Sequence, residues 1–321
     1  MGPPPLSPGP DLSDWMGHLP PPVKDLPLCH LALPGSHDSL TYSLEKSGGA
    51  GPDQPECIRC LTSCCPRLSS KLLYRWSLTQ GADLAAQLRG GVRYFDIRLE
   101  AMEEGGERDF RVLHCLVGER VRGLLVQVRG WLEQHSGEVV ILDLQHLFLF
   151  HECDHQQLAA FLLSTFQDVL HPWAGLAGRA TLGSLQTSGH RVVVVYPRMA
   201  SCSPLLWPRA SCPTPWPDTT STSTLASFLA TGLQERDQDK LFVSQGVLTP
   251  RVSTVLTHPF SGLWKSCAQR ANLRVLDWLE SGARPNILIH DFVLGDAVSW
   301  GIISKILECN AGLGLRKPSC G

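Results

Sequence analysis

No run of apolar residues in this 321-residue chain approaches the roughly 18 to 20 that a membrane-crossing helix needs, which excludes a helical span. An excess of positive charge is missing too. The 28 Lys and Arg stand against 30 Asp and Glu, so the formal net charge is -2 and no global field gathers polyanions. Nucleic acid is therefore not expected as a partner. The segment Met1 to Ser7 has neither a basic head nor an apolar h-region, so the chain reads as neither secreted nor spanning, with a cytoplasmic location expected. Gly2 invites myristoylation, but the motif wants Ser or Thr where Leu6 stands. With 43% hydrophobic and only 18% charged residues, disorder is excluded and one large α/β domain or two smaller ones can be filled. Twelve cysteines without a secretion signal are expected to stay reduced, acting as small apolar residues.

What is present is alternation. Apolar, β-branched runs bounded by turn residues occur at Leu28 to Leu33, Val92 to Leu99, Phe110 to Leu116, Val139 to Leu147, Arg191 to Tyr196, Leu241 to Val243 and Asn286 to Phe292. Between them lie stretches of helical period at Gly81 to Arg89, Val121 to His135, Gln156 to Leu170, Ser223 to Glu235 and Leu273 to Ser281. The fold class is thus α/β with a parallel sheet, and an irregular (β/α)8 TIM-type barrel is preferred to an open sheet. A barrel gathers the carboxyl ends of all its strands at one mouth, where His37, Arg98, His114, Gln145, Arg198 and Asp291 would meet. Residues 1–24 read as a flexible proline-rich lead, 25–312 as the barrel and 313–321 as a tail. Insertions are expected at about 47–76 and 199–222. The second carries Trp207 and Trp216, which either dip into a lipid headgroup layer as a peripheral contact or pack on the barrel rim.

The chemistry concentrates around two histidines. His37 lies in Leu33-Pro-Gly-Ser-His-Asp38 and His114 in Arg111-Val-Leu-His-Cys115; between them comes Gly91-Val-Arg-Tyr-Phe-Asp-Ile-Arg98. A strand has period two, so Asp96 and Arg98 share one face. Two imidazoles and a fixed cation suit phosphodiester cleavage: one takes a proton from an attacking hydroxyl, the other protonates the departing oxygen, and the guanidinium holds the phosphate. Asp38 and Asp291 are available to orient the two rings. Ile287, Ile289 and Asp291 share a face, leaving His290 turned to the surrounding helices.

Two cysteine- and histidine-bearing motifs compete for attention. His151-Glu-Cys-Asp-His155 satisfies H-E-x-x-H, which needs both histidines on one helix face, but Asp154 with Gln157 reads as an N-cap and capping-box partner that leaves His151 outside the helix. Cys57, Cys60, Cys64 and Cys65 are close enough to bind zinc or carry reversible acyl chains, and otherwise form an exposed cysteine-rich insertion.

Leu33-Pro-Gly-Ser-His-Asp-Ser39, Gly91 to Arg98, the histidine of Val112-Leu-His114 and Glu138-Val-Val-Ile-Leu-Asp-Leu144 follow one another in an order that resembles the X domain of phosphatidylinositol-specific phospholipase C. The resemblance runs from about residue 25 to about 310, and is that of a small animal protein holding the X domain alone. It implies a phosphoric diester hydrolase in which His37, oriented by Asp291, is general base toward the inositol 2-hydroxyl. His114, supported by Asp38, would be general acid toward the diacylglycerol oxygen, giving an inositol cyclic phosphate. An inositol phospholipid at a membrane surface is the implied partner. The large calcium-dependent relatives carry acidic, asparagine and glutamate ligands where this chain has Arg98, Asp38 and Gln145. Arg98 is instead similar to the arginine of the bacterial metal-independent enzymes, so no metal and no cofactor are expected. Gln145 stands where those enzymes place a lysine, and around Phe242-Val-Ser-Gln-Gly246 their headgroup-contacting aspartate and tyrosine have no counterpart. Arg198 in Val195-Tyr-Pro-Arg198 is the remaining candidate to clamp inositol hydroxyls. Two other readings stay open: a weak or inactive headgroup-binding module, and a glycerophosphodiester phosphodiesterase.

Overall fold

The structure, a computed structural model, describes residues 6–46, 50–54, 56, 59–60, 66–104, 106–175, 177–197 and 203–313. Its strands are β1 (Leu33–Ser36), β2 (Tyr94–Glu104), β3 (Glu107–His114), β4 (Leu116–Arg120), β5 (Val140–Phe148), β6 (Val192–Tyr196), β7 (Trp207–Pro208), β8 (Val243–Gln245) and β9 (Ile287–His290). Seven of them form a curled parallel sheet in the order β7-β6-β5-β2-β1-β9-β8. Between its two edges, Leu241 N donates to Ser211 O (3.1 Å) and Val243 N to Pro213 O (2.9 Å), so the main chain after β7 bridges the seam. The result is the expected irregular TIM-type barrel, with seven parallel strands among the described residues in place of eight.

Side-chain alternation sorts the strands into two layers. Leu33, Tyr94, Ile141, Val193, Val195, Trp207, Val243, Ile287 and Ile289 pack together as one buried cluster inside the barrel. Their neighbours Phe95, Ile97, Val140, Leu142, Val192 and Val194 pack with Leu124, Val128, Leu158 and Leu162 of the helices Val121–Gln134 and Glu152–Phe166. The inward rows carry the chemistry, because Tyr94, Asp96 and Arg98 share parity, as do Ile141, Asp143 and Gln145. Gly35 is required where β1 crosses this packed interior: a Cβ there would lie 2.8 Å from Ile289 Cγ2 and 3.0 Å from Tyr94 Cδ1.

Several expectations need correction. Leu28 to His30 is a single 3-10 turn and β1 starts only at Leu33, because Pro27 fixes the chain before it and Asn286 Nδ2 donates to the carbonyls of Leu28 and Leu31. Part of the proline-rich lead is packed against the barrel, from about Leu12 on. Trp15 and Met16 are buried, and Arg93 donates to the carbonyls of Leu12 (2.9 Å) and Ser13 (2.8 Å). Arg93 is itself fully buried against Glu138 at 2.7 Å, and removing one partner of such a pair costs about 3–5 kcal/mol. Phe110 to Leu116 is strand, but β3 runs antiparallel to β2 and pairs with β4 as a hairpin outside the barrel wall. The supposed insertion at 199–222 contains β7, a barrel strand too short for periodicity to reveal. Pro66–Ser77, in the other, is helical. No helix among the described residues is long and apolar enough to cross a membrane.

Candidate active site

β1, β2 and β9 deliver four of the groups. His37 follows β1 directly, Asp96 and Arg98 sit on the inner face of β2, and Asp291 follows β9. His114 arrives by another route. β2 runs on past the barrel wall, and β3 returns antiparallel with Val112 opposite Leu99, which brings His114, two residues further on, level with Asp96 and Arg98. The backbone turns sharply after these strands: Asp38 (φ 42), Cys115 (φ 59) and Phe292 (φ 52) all occupy the left-handed region. Asp tolerates it best of the three, and Asp38 N donates to Asp96 Oδ2 at 3.2 Å. Gln80, fully buried, ties the ends of β1 and β9 together by donating to His37 O (2.9 Å) and His290 O (3.0 Å).

The groups converge on one carboxylate. Asp38 Oδ2 lies 3.4 Å from His37 Nε2 and 3.2 Å from His114 Nε2, and Asp38 Oδ1 pairs with Arg98 Nε. Arg98 Nη2 also contacts Asp96 Oδ2 and His37 Nε2, each at 3.2 Å. The remaining ring nitrogens are held from behind: His37 Nδ1 by Asp291 Oδ1 at 2.7 Å, His114 Nδ1 by the carbonyl of Ser77 at 2.7 Å. Both partners are acceptors, which assigns the Nδ1 protons and leaves the Nε2 atom of each ring turned to Asp38.

Burial works against charge here, but the neighbours outweigh it. Desolvation lowers the pKa of His37, yet Asp38 and Asp291 raise it to about 9. Desolvation raises that of Asp38, yet Arg98, His114 and His37 bring it down to about 2. Arg98, desolvated but flanked by Asp38 and Asp96, is held above the ordinary arginine range. His37, Asp38 and Asp96 place ligand atoms within 4.8 Å of one another and are, among the described residues, the one group arranged as a metal site would be. The Arg98 guanidinium already bonds both of those carboxylates, so a dication would have to displace a cation tethered on a neighbouring strand.

These groups form one wall of a cavity of about 470 Å³. The rest of the lining comes from β5, which pairs directly with β2, from the chain after β7 and from β8: Gln145, His146, Arg209, Thr214, Trp216 and Gln245. Gln145 does not face the ligand space freely. Its Nε2 donates to Asp143 Oδ2 at 2.6 Å, and its Oε1 accepts from Arg209 Nη1 at 2.8 Å and Thr214 Oγ1 at 3.1 Å. Asp143, beneath it, is bonded by Tyr94 Oη at 2.6 Å, and burial raises its carboxyl pKa to about 7. Burial and the Arg98 charge lower His146.

The candidate residues read from sequence thus fall into three sets. His37, Asp38, Asp96, Arg98, His114 and Asp291 are brought together, with Gln145 on the adjoining strand β5. Arg198, Cys57, Cys64 and Cys65 lie outside the described residues, and Cys60 is exposed. Trp207 is a correction: it is buried in the barrel, its Nε1 donating to His171 O at 3.1 Å and its ring 5.0 Å from that of Trp173. Only Trp216 of that pair is exposed, and its Nε1 donates to Thr249. Asp154 is likewise corrected, from N-cap to third residue of its helix. The N-cap is the exposed His151, whose N–H Asp154 accepts at 2.8 Å, while Arg108 grips the same carboxylate. His155 is turned inward onto Tyr196 Oη at 3.0 Å. Arg209, His146, Gln80 and Ser77 had no motif to mark them; Trp-Pro-Arg in a proline-rich stretch was the sole trace of the first.

No protein-family model matches the chain. Among curated proteins, "PI-PLC X domain-containing protein 3" of Danio rerio is 35% identical over 295 residues, covering 89% of this chain and 91% of that one. The human protein of the same description is 34% identical, with 90% and 92% covered. Human "PI-PLC X domain-containing protein 1" is 32% identical, with 94% and 93% covered. Among solved structures, the phosphatidylinositol-specific phospholipase C of Listeria monocytogenes superposes with TM-score 0.59 at 16% identity, covering 93% of this chain and 98% of that one. That of Staphylococcus aureus does so with TM-score 0.64 at 18% identity, covering 92% and 97%. At those identities the likeness establishes the fold.

Proposed function

The chain belongs to the PI-PLC X domain-containing proteins, and from that membership together with the site we propose that it is a phosphoric diester hydrolase cleaving phosphatidylinositol-type lipids without a metal. The observation that carries the reading is the meeting of two Nε2 atoms and a guanidinium at Asp38, within 3.4 Å. In the proposed reaction His37 Nε2 takes the proton of the inositol hydroxyl beside the phosphate, and that oxygen bonds to phosphorus. The bond from phosphorus to the diacylglycerol oxygen breaks, and His114 Nε2 supplies the proton that oxygen needs. The products are diacylglycerol and an inositol cyclic phosphate, which water opens with the two rings in exchanged roles. Arg98, fixed by two carboxylates, faces the non-bridging oxygens as charge develops, without reorganising.

Substrate must be taken from a membrane surface, and the rim beside the cavity suits one. Trp216, which lines the cavity, is exposed, so of the two tryptophans it is the one available for lipid contact. The reading is tested by incubating purified protein with vesicles of labelled phosphatidylinositol, in excess chelator and with added Ca²⁺. Cyclic inositol phosphate formed equally in both supports it. Turnover that only Ca²⁺ restores overturns the metal-free step; glycerol phosphate as product overturns the reaction class; headgroup binding without product leaves a binding module.

A further inference from the structure

The stretch that closes the helix Pro66–Ser77 and runs on from it is irregular yet buried, with Ser77, Thr79 and Gln80 at most 1% exposed. Buried backbone outside a helix or sheet must find its hydrogen-bond partners elsewhere. Here the partners are the turns that carry the proposed acid and base. Ser77 O accepts the Nδ1 proton of His114 at 2.7 Å. Thr79 O accepts the N–H of Phe292, next to Asp291, at 2.6 Å. Gln80 spends both amide protons on His37 O (2.9 Å) and His290 O (3.0 Å), while its Oε1 accepts from Val293 N at 3.0 Å. The lone pairs of Thr41 Oγ1 are taken by the N–H groups of Thr79 (3.2 Å) and Gln80 (3.0 Å), so its own proton goes to Thr79 Oγ1 at 2.6 Å. That leaves the Thr79 hydroxyl proton for the carbonyls of His37 and Asp38, each at 3.2 Å.

One short stretch therefore bonds the turn after β1, the turn after β9 and the ring of His114. Ser77 and Gln80 are three residues apart, a reach of at most about 11 Å, and Leu78 between them is buried in the same apolar cluster as Phe292. Neither end can shift without the other. Proton removal at one oxygen and proton delivery at the other serve the same phosphorus, so both rings must keep their distance to it at once. Resting on the hydrolase reading above, we infer that Ser77–Gln80 is a single positioning element that aligns base and acid together, with Thr79 and Gln80 as its positioning residues. They act through the main chain of His37 and Asp38 and through the turn that presents Asp291, and they are joined along their own chain to the carbonyl that orients His114.

The test uses Gln80→Met, which keeps the volume and removes all three bonds, and two substrates. One is phosphatidylinositol in vesicles; the other is a soluble inositol phosphodiester with a nitrophenyl leaving group, which departs as phenolate and so needs the base but not the acid. Expected is a fall in kcat of about 10²-fold on the lipid and about tenfold on the nitrophenyl ester, with KM changed less than about twofold on each. Equal falls on the two substrates, or parental kcat on both, overturn the coupling. Thr79→Val should act in the same direction and Thr79→Ser should restore most of the rate; Thr79→Ser as slow as Thr79→Val overturns the role of the hydroxyl. Should wild type turn over neither substrate, the hydrolase reading fails while the ring protons still decide the coupling. In protein carrying ¹⁵N-labelled histidine, the Nδ1–H resonance of His114 should shift in Gln80→Met along with that of His37, although the bonds of Gln80 all go to the other two turns. An unmoved His114 resonance overturns the proposal. If Gln80→Met does not fold, Thr79→Val carries the same measurements.

Discussion

The two walls of the mouth are built on opposite plans. On the side of β1, β2 and β9 every fixed charge meets an opposite one, and Asp38 alone touches both imidazoles and the guanidinium. On the side of β5 and β7 the Arg209 guanidinium is propped by amide and carbonyl oxygens, and burial raises the Asp143 carboxyl below it to about 7. A wall of mutually compensated charges is rigid and poised for proton transfer, since each group's protonation is set by its neighbours. The other wall fixes its cation through hydrogen bonds to neutral oxygens, with the buried Asp143 beneath.

Breaking the first wall should cost most. His37→Ala and His114→Ala are each expected to lower turnover by about 10²–10⁴, the usual worth of a positioned acid or base, and parental rates on vesicles would refute their roles. Arg98→Met should follow with a loss of about 10²–10³. Arg98→Lys would recover little of it, because an ammonium cannot bond Asp38 and Asp96 in parallel; full recovery would show that charge alone suffices.

Asp291→Asn gives a smaller effect with a characteristic signature. His37 must be neutral to accept a proton and is held at about 9, so kcat/KM of the parent should climb with pH up to that range. Removing one of the two carboxylates that raise it should move the ascending limb to lower pH, and an unmoved limb would separate His37 from the rate. The same shift has a stability consequence. A group raised from 6.5 to about 9 contributes fully below 6.5 and loses its contribution as pH rises through 9. Thermal stability should therefore decline between pH 7 and 10, and less so in Asp291→Asn.

The second wall responds more mildly. Gln145→Leu strips hydrogen-bond partners from Asp143, Thr214 and Arg209, an expected cost of roughly 1–3 kcal/mol in unfolding free energy, with KM affected more than kcat; a kcat effect equal to that of His114→Ala would erase the contrast between the walls. Least of all, Trp216→Ala should weaken vesicle partitioning about threefold to tenfold, read by sedimentation with lipid, while the equivalent change at buried Trp207 lowers folding stability instead.

The first wall was legible because its parts are short-range patterns. Period two puts Asp96 beside Arg98 and Asp291 in line with Ile289, and Asp38 adjoins His37. The second wall was not, because Arg209 sits in a short 3-10 turn directly after a two-residue strand and meets Gln145 across 64 positions. The same shortness disguised β7 as an insertion and Trp207 as a surface residue. The lead segment was misjudged for a related reason: its prolines suggested flexibility, while the acceptor carbonyls that bind it to Arg93 carry no side-chain signal at all.

By itself the sequence determined the alternation of strand and helix, the parity that turns Tyr94, Asp96 and Arg98 inward, and the residues proposed as acid, base and cation. These follow from local periodicity and residue chemistry. Only the tertiary structure decided that β3 brings His114 back to the mouth as one arm of a hairpin, that one carboxylate serves both rings, and that a second guanidinium, Arg209, joins the lining through Gln145. Charges and donors hundreds of residues apart acquire a pKa, a partner or the lack of one only when closure of the barrel sets the distances between them.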